Sequence, residues 1–273
     1  MGHDKLRKFA ENETFSCLLQ PSAEELLADG YFHLRDHAVK GRWNERFENN
    51  NPIVLELGCG KGEYTVALAE RDPERNYIGV DIKGARLWKG AKYATEHAMP
   101  NVAFLRTRVE FITAFFAPGE VSEIWLTFSD PQYRSENSRL SSPLFLERYR
   151  SFLKPGGIVH LKTDSRFLHE YTRAVCEANG LRILACTTDL YNQQVEVQPV
   201  VKEVQTFYEQ LFLEQGYPIT YLSFVIDHEG PFVSPRDPEQ FDSKAWRAAE
   251  GPRLLFGHDS AETRRQKLHS TEA

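Results

Sequence analysis

Short apolar runs and longer amphipathic runs alternate through the middle of the chain. The apolar runs cover 53–57, 77–81, 102–106, 123–129, 158–163, 182–187 and 219–225, each of strand length. Helical stretches separate them near 64–69, 85–97, 111–116, 143–153 and 165–179. This alternation predicts an α/β fold. The expected form is a doubly wound, mostly parallel seven-stranded Rossmann-like sheet with an antiparallel edge strand, covered on both faces. Lys154-Pro155-Gly156-Gly157 reads as a helix stop and a turn into the next strand.

The ends follow a different pattern. Residues 1–50 are polar, with one short helix predicted from Ser22, where Glu25 completes a capping box. After Asp227 the chain is rich in Pro, Gly and charge: Pro231, Pro235, Pro238, Gly251, Pro252, Gly257, then Arg264-Arg265-Gln266-Lys267. The expected division is an N-terminal extension (1–50), a main domain (51–227) and a polar tail (228–273). The tail is too polar for a core of its own and is expected to be partly ordered. Phe232, Phe241, Trp246 and Phe256 are available to pin it to the domain.

Composition narrows the function classes. With 41% hydrophobic and 26% charged residues, the 273-residue chain has ordinary globular values. No apolar run is long enough to span a bilayer and the N-terminus does not resemble a signal peptide, so the expected location is cytoplasmic. Cys17, Cys59, Cys176 and Cys186 form no C-x-x-C pair and the histidines are dispersed, so no metal site is expected. The net charge of −6 carries no global signal for nucleic acid, so an RNA partner would need local positive charge.

The chemistry concentrates where strands end. Ile53-Val-Leu-Glu56-Leu-Gly58-Cys-Gly60-Lys-Gly62 is an apolar strand running into three alternating glycines, followed by a helical pattern. Glycine allows a tight turn and close approach of a ligand. The spacing G-x-G-x-G differs from the dinucleotide fingerprint, and Glu56 stands just before it, where a carboxylate suits an amino group better than a pyrophosphate. Asp81 ends the next strand, about 20 residues on, where doubly wound folds place the acid that grips a ribose. Together these features point to S-adenosylmethionine in a class I methyltransferase. The bland alternative is a glycine turn that only packs strand against helix.

A second cluster follows the fourth of these strands. Trp125-Leu-Thr-Phe-Ser129-Asp130-Pro131-Gln132-Tyr133-Arg134 ends an apolar run in an acid and a proline, and Lys162-Thr163-Asp164 ends the next. Ligands of open parallel sheets bind beyond the carboxyl ends of the strands, so Glu56, Asp81, Asp130 and Asp164 are expected to converge on one crevice. Any one of them alone reads equally well as a helix cap or a solvated strand end. Lys83, Arg86, Lys89 and Lys92 recur every three residues, and Arg134, Arg139, Arg148 and Arg150 form a second basic group. The first set reads mainly as the solvated face of a surface helix. The second lies near the ligand edge, with Tyr133 available to stack on a base.

The chain resembles the tRNA (guanine-N7)-methyltransferase family over roughly residues 50–226. The resemblance rests on Glu56-Leu-Gly58-Cys-Gly60-Lys-Gly62, Phe128-Ser-Asp130-Pro-Gln132, Arg139-Leu-Ser-Ser-Pro-Leu-Phe145, Lys162-Thr163-Asp164 and Thr206-Phe-Tyr-Glu209. It implies a class I fold, S-adenosylmethionine as methyl donor and tRNA as substrate, methylated at a guanine N7 in the variable loop. It also implies that Glu56, Gly58, Gly60, Asp81, Arg108 and Asp130 bind the cofactor, and that Asp130 is the catalytic residue. Arg134, Asp164, Thr206 and Glu209 would contact the substrate, with the chain acting as a monomer or homodimer. Four positions depart from the family pattern: Arg108 replaces an acid, Ser129 a proline, Gln132 a tryptophan and Arg134 a lysine. Two other readings stay open on the residues: a methyltransferase for a small-molecule or protein acceptor, and a non-catalytic RNA-binding relative.

Overall fold

Residues 3–27, 33–235 and 239–250 are described by a computed structural model. The expected features at Pro238, Gly251, Pro252, Phe256, Gly257 and 264–267 lie outside the described residues. Eight strands form one sheet: β1 (Leu18–Leu19), β2 (Ile53–Leu57), β3 (Asn76–Asp81), β4 (Val102–Arg106), β5 (Val121–Thr127), β6 (Leu153–Thr163), β7 (Ile183–Thr187) and β8 (Thr220–Val225). Their order is β1-β4-β3-β2-β5-β6-β8-β7. The pairs from β1 to β6 are parallel, whereas β8 runs antiparallel to both β6 and β7. The antiparallel strand is therefore one place in from the edge. The eighth strand, β1, is two residues long, too short to carry an alternation that sequence could reveal.

Every residue of β2, β3 and β8 is buried. Helices cover both faces, so the strands need apolar residues at consecutive positions and not merely at alternate ones. The period of two is still visible in packing: Leu55 and Leu57 of β2 join one core cluster, while Val54 joins the other. On the second face lie α4 (Glu63–Arg71) and α5 (Gly84–Glu96), which bury Val66, Leu68, Leu87, Ala91 and Ala94. On the first lie α6 (Pro143–Arg150) and α7 (Arg166–Ala178), which bury Phe145, Leu146, Phe167, Leu168 and Val175. Residues 109–114 form a 3-10 turn. Helix α6 stops at Arg150, and Leu153 already pairs with Val121, so Lys154–Gly157 belongs to the long β6.

Both ends contribute more than polarity suggests. Ser22 caps a four-residue helix, α2 (Ala23–Leu26), by accepting from the Glu25 N–H at 3.2 Å. Trp43 in α3 (Trp43–Phe47) is fully buried, stacks on Phe116 and donates its indole N–H to the Phe115 carbonyl at 2.9 Å. Helix α1 (His3–Asn12) docks on α5, where Glu11 accepts from the Trp88 indole at 2.6 Å and Asn12 donates to the Gly84 carbonyl. These anchors are single aromatic or amide groups in a polar setting, without a periodic run to announce them. In the tail, Phe241 enters the core against Phe167 and Tyr171, and Phe232 and Trp246 pack against the same core cluster. A last helix, α10 (Ser243–Glu250), follows.

Candidate active site

A cavity of about 530 Å³ opens at the carboxyl ends of the central strands, bordered by Gly58, Asp81, Arg108, Phe128, Ser129 and Asp130. A smaller one of about 100 Å³ adjoins it, reaching Glu56, Gly60, Tyr64, Thr127, Thr206 and Tyr208 and sharing Gly58, Arg86 and Phe128 with the first. The glycine turn makes this possible. Gly58, Gly60 and Gly62 have φ of 77°, 57° and 71°, all in the left-handed region, and α4 starts at the next residue. At Gly62 a Cβ would also lie 2.4 Å from the Phe104 ring, so the turn sits directly on the sheet.

Asp81, at the end of β3, fixes that turn. Its Oδ2 accepts from the Gly60 N–H at 3.0 Å and its Oδ1 from the Lys83 N–H at 2.7 Å. Each carboxylate oxygen retains a further lone pair toward the cavity edge. Glu56 borders the small cavity and is also engaged by the protein. It is buried, its Oε2 accepts from the Thr65 N–H (2.8 Å) and the Thr65 hydroxyl, and its Oε1 accepts from Thr127 Oγ1 at 2.5 Å. Burial pushes its carboxyl up to about 7, against the lowering effect of the two threonines. Thr65 and Thr127 were not singled out from sequence. A buried hydroxyl, on α4 for Thr65 or at the end of β5 for Thr127, gives no signal until its partner is known.

The loop carrying Asp130 is tightly specified. Asp130 is exposed at the cavity rim, and its Oδ1 accepts from the Gln132 N–H at 2.9 Å. Two non-glycine residues flank it at positive φ, Phe128 at 49° and Gln132 at 47°. Such backbone costs on the order of 1–2 kcal/mol per residue and clusters at functional sites. Arg139 holds the loop from behind, donating to the carbonyls of Gln132 (3.3 Å) and Tyr133 (3.2 Å) while lying over the Phe167 and Tyr171 rings.

The other expected site residues divide into several groups. Arg108 borders the large cavity, facing Glu110 and the Phe111 ring. Arg134 is exposed but borders a separate depression with Tyr133, Tyr171 and Phe241. Asp164 is half-buried just after β6. Thr206 caps α9 (Phe207–Glu214), accepting from the Glu209 N–H at 3.2 Å, and its residue lines the small cavity. Glu209 is fully buried: its Oε1 meets Lys162 Nζ at 2.7 Å and accepts from the Tyr191 hydroxyl at 2.5 Å. Burial pushes Glu209 up and Lys162 down, against their mutual attraction.

The basic groups also sort by partner. Lys89 pairs with Glu63 and Lys92 with Glu96, whereas Lys83 and Arg86 border the large cavity with no ion-pair partner among the described residues. Arg150 is engaged by Glu147 and by the His228 and Gly230 carbonyls, Arg148 lies over Phe145, and Arg139 is buried. Of that second set Arg134 is the most exposed, with Arg148 and Arg150 half-buried. Tyr133 stacks on Phe167 and bonds Glu250, so its ring is not a free platform.

The cavities fit an adenosyl amino-acid donor. Their volume lies in the range of small-ligand sites, with apolar walls (Ile82, Val109, Leu140, Phe145) and acids at both ends. Two buried hydroxyls bordering them, Ser129 Oγ and Tyr64 OH, have no hydrogen-bond partner among the described residues. Buried polar atoms are normally satisfied, so a polar ligand here would complete the accounting. Among the described residues there is no cluster of metal-ligating side chains, and no helix is long and apolar enough to cross a membrane.

A family model described as "Putative methyltransferase" matches residues 50–222. A tRNA (guanine-N(7)-)-methyltransferase from Christiangramia forsetii is 52% identical over 226 residues, covering 82% of this chain and 98% of that protein. A protein of the same name from Bacteroides fragilis is 46% identical over 247 residues, covering 89% and 94%. Among solved structures, the 16S rRNA methyltransferase KamB matches with a TM-score of 0.52 at 15% identity, over 71% of this chain and 96% of that one. An antibiotic-related methyltransferase matches at 0.51 and 18%, over 69% and 94%. At such identities these two speak for the fold alone.

Proposed function

Because the chain belongs to the tRNA (guanine-N(7)-)-methyltransferase family, we propose that Asp130 is the group that orients the target guanine, at the rim of two adjoining cavities that together hold the donor. The enzyme transfers a methyl group to N7 of a guanine in tRNA. S-adenosylmethionine supplies the methyl group as an electrophilic carbon on a sulfonium. In this reading Asp81 and the Gly58–Gly60 backbone hold the ribose side, Glu56 backs the amino-acid side, and Arg108 borders the adenine side. The target guanine lies in the variable loop of the tRNA.

Guanine N7 carries an in-plane lone pair and no proton, so no general base is needed. What the chain must supply is alignment and a field that tolerates positive charge on the purine. An exposed carboxylate does both: it accepts hydrogen bonds from the base's N–H edge and stabilises the cationic product. The observation that carries this reading is the placement of Asp130, which stands at the cavity rim on a loop pinned by two positive-φ residues and by Arg139. Lys83, Arg86 and Arg134, exposed cations near the loop or the cavity, would meet phosphates. In this reading the chain acts as a monomer or a homodimer. A cytoplasmic setting belongs to the same reading, supported by the tRNA substrate and the free cysteines.

The test is methyl transfer from labelled S-adenosylmethionine to unmodified tRNA, with the product nucleoside identified. Asp130→Asn is expected to lower turnover by about a hundredfold or more while donor affinity stays within about threefold. Equal losses in both would remove Asp130 from the acceptor side.

A further inference from the structure

The tail reaches back onto the loop that carries Asp130. Helix α10 is capped by Asp242, whose Oδ1 accepts from the Lys244 and Ala245 N–H groups at 3.1 and 2.7 Å. Its last residue, Glu250, lies against the start of α7. There Glu250 Oε1 accepts from the Phe167 N–H at 2.6 Å and from Ser165 Oγ at 3.1 Å, while Oε2 accepts from the Tyr133 hydroxyl. Ser165 is the N-cap of α7 and still accepts from the Leu168 N–H at 3.2 Å, so one carboxylate completes that helix start.

The same carboxylate touches the loop, because Tyr133 is three residues after Asp130. The Tyr133 ring is held on both sides, stacked on Phe167 at 4.7 Å and facing the Arg247 guanidinium of α10 at 5.6 Å. Trp246 closes the group edge-on to Phe167 at 5.7 Å. Arg139 holds the loop's carbonyls, but from the main domain. The loop is thus clamped from two independent elements, one of which is the polar tail.

We infer that Glu250 is a positioning residue for methyl transfer: through Tyr133 it fixes the loop that aims Asp130, making the tail part of the tRNA-engaging site. This rests on the reading of Asp130 given above. The physical reason is that a loop with two strained residues keeps one conformation only if its surroundings over-determine it. Loss of Glu250 removes this acceptor from the Tyr133 hydroxyl and from the Phe167 N–H, leaving Ser165 as the cap of α7.

The test uses the full chain with Glu250→Ala, Glu250→Gln and Tyr133→Phe, beside Asp130→Asn. For Glu250→Ala, kcat on tRNA is expected to fall roughly tenfold while donor affinity stays within about twofold, as misaimed groups cost rate more than binding. Amide exchange should rise over 129–136 and stay unchanged in the 58–62 turn. Glu250→Gln keeps an acceptor for the Phe167 N–H and should retain most of the rate. Tyr133→Phe, which removes only the loop arm, should reproduce part of the loss without lowering the melting temperature. Wild-type kcat and loop protection in a folded Glu250→Ala, or a Tyr133→Phe indistinguishable from wild type, would overturn the inference. If Asp130→Asn keeps its rate, the reading of the site fails, while loop exchange in the Glu250 variants still decides whether the tail holds the loop.

Discussion

Replacing Lys162 with methionine would remove the cation from the most deeply buried ion pair described here. Lys162 and Glu209 have no exposed side-chain surface, and the ammonium meets Glu209 Oε1 (2.7 Å), the Val201 carbonyl (2.8 Å) and the Val204 carbonyl (2.9 Å), with the Tyr191 hydroxyl at 3.4 Å. Lys162→Met leaves a buried carboxylate without its counter-charge and two carbonyls without this donor. Breaking one side of such a pair costs about 3–5 kcal/mol. At about 2–4 °C per kcal/mol for a chain of this size, the melting temperature should fall by roughly 10 °C. The double variant Lys162→Met/Glu209→Leu removes both charges and should recover part of that loss. What remains is about 1 kcal/mol each for the Tyr191 hydroxyl, which loses its acceptor, and for the Val201 and Val204 carbonyls, which lose this donor. Thermal unfolding of wild type, single and double variants measures this directly. A single variant losing less than about 1 kcal/mol, or a double no better than the single, would refute the reasoning. The folded double variant also separates two roles for Glu209. If it only anchors α9, which carries Thr206 to the small cavity, methylation returns with stability. If Glu209 also contacts guanosine, the double variant stays slow.

Other outcomes follow from the same geometry. Glu56 ionises near 7 in the folded protein against an ordinary 4.5, so its contribution to stability is full below pH 4.5 and lost as pH rises to about 7, on the order of 3 kcal/mol. Melting temperatures of wild type and Glu56→Gln between pH 4.5 and 8 should therefore converge or cross as pH rises, and parallel curves would count against the assignment. For Glu123 the sign is opposite. Burial would raise it, but His160, Arg75 and the Trp125 N–H outweigh burial and bring it down to about 2, so its stabilisation is present above pH 4.5 and lost in acid toward 2. Glu123→Gln should flatten the acid limb of the stability profile. Gln132→Gly should be neutral or stabilise by about 1 kcal/mol in urea unfolding, because glycine accepts the positive φ at no steric cost. Neutralising Lys83 and Arg86 should weaken tRNA binding and reduce its salt slope, whereas changing Lys89 and Lys92, already paired, should do so less.

The sheet and its ligand edge were legible because their signals are local. Buried parallel strands need consecutive apolar residues, a turn at positive φ needs glycine, and strand ends place Glu56, Asp81 and Asp130 at one edge by topology. Side-chain destinations were not legible. Arg139 and Arg134 are five residues apart in one polar stretch, yet one is buried beneath the loop and the other is exposed. Glu209 stands in a surface-like helical segment and is buried only because Lys162, 47 residues earlier on β6, reaches it. Trp43 enters the core from an end whose composition predicts no core, whereas Phe241 packs on the domain as the sequence suggested. By itself, then, the sequence determined the fold class and the crevice, through periodicity and backbone geometry that each segment carries within itself. Only the tertiary structure decided which charges face a ligand and which are spent on the protein, because that depends on which partners distant segments bring within hydrogen-bonding distance.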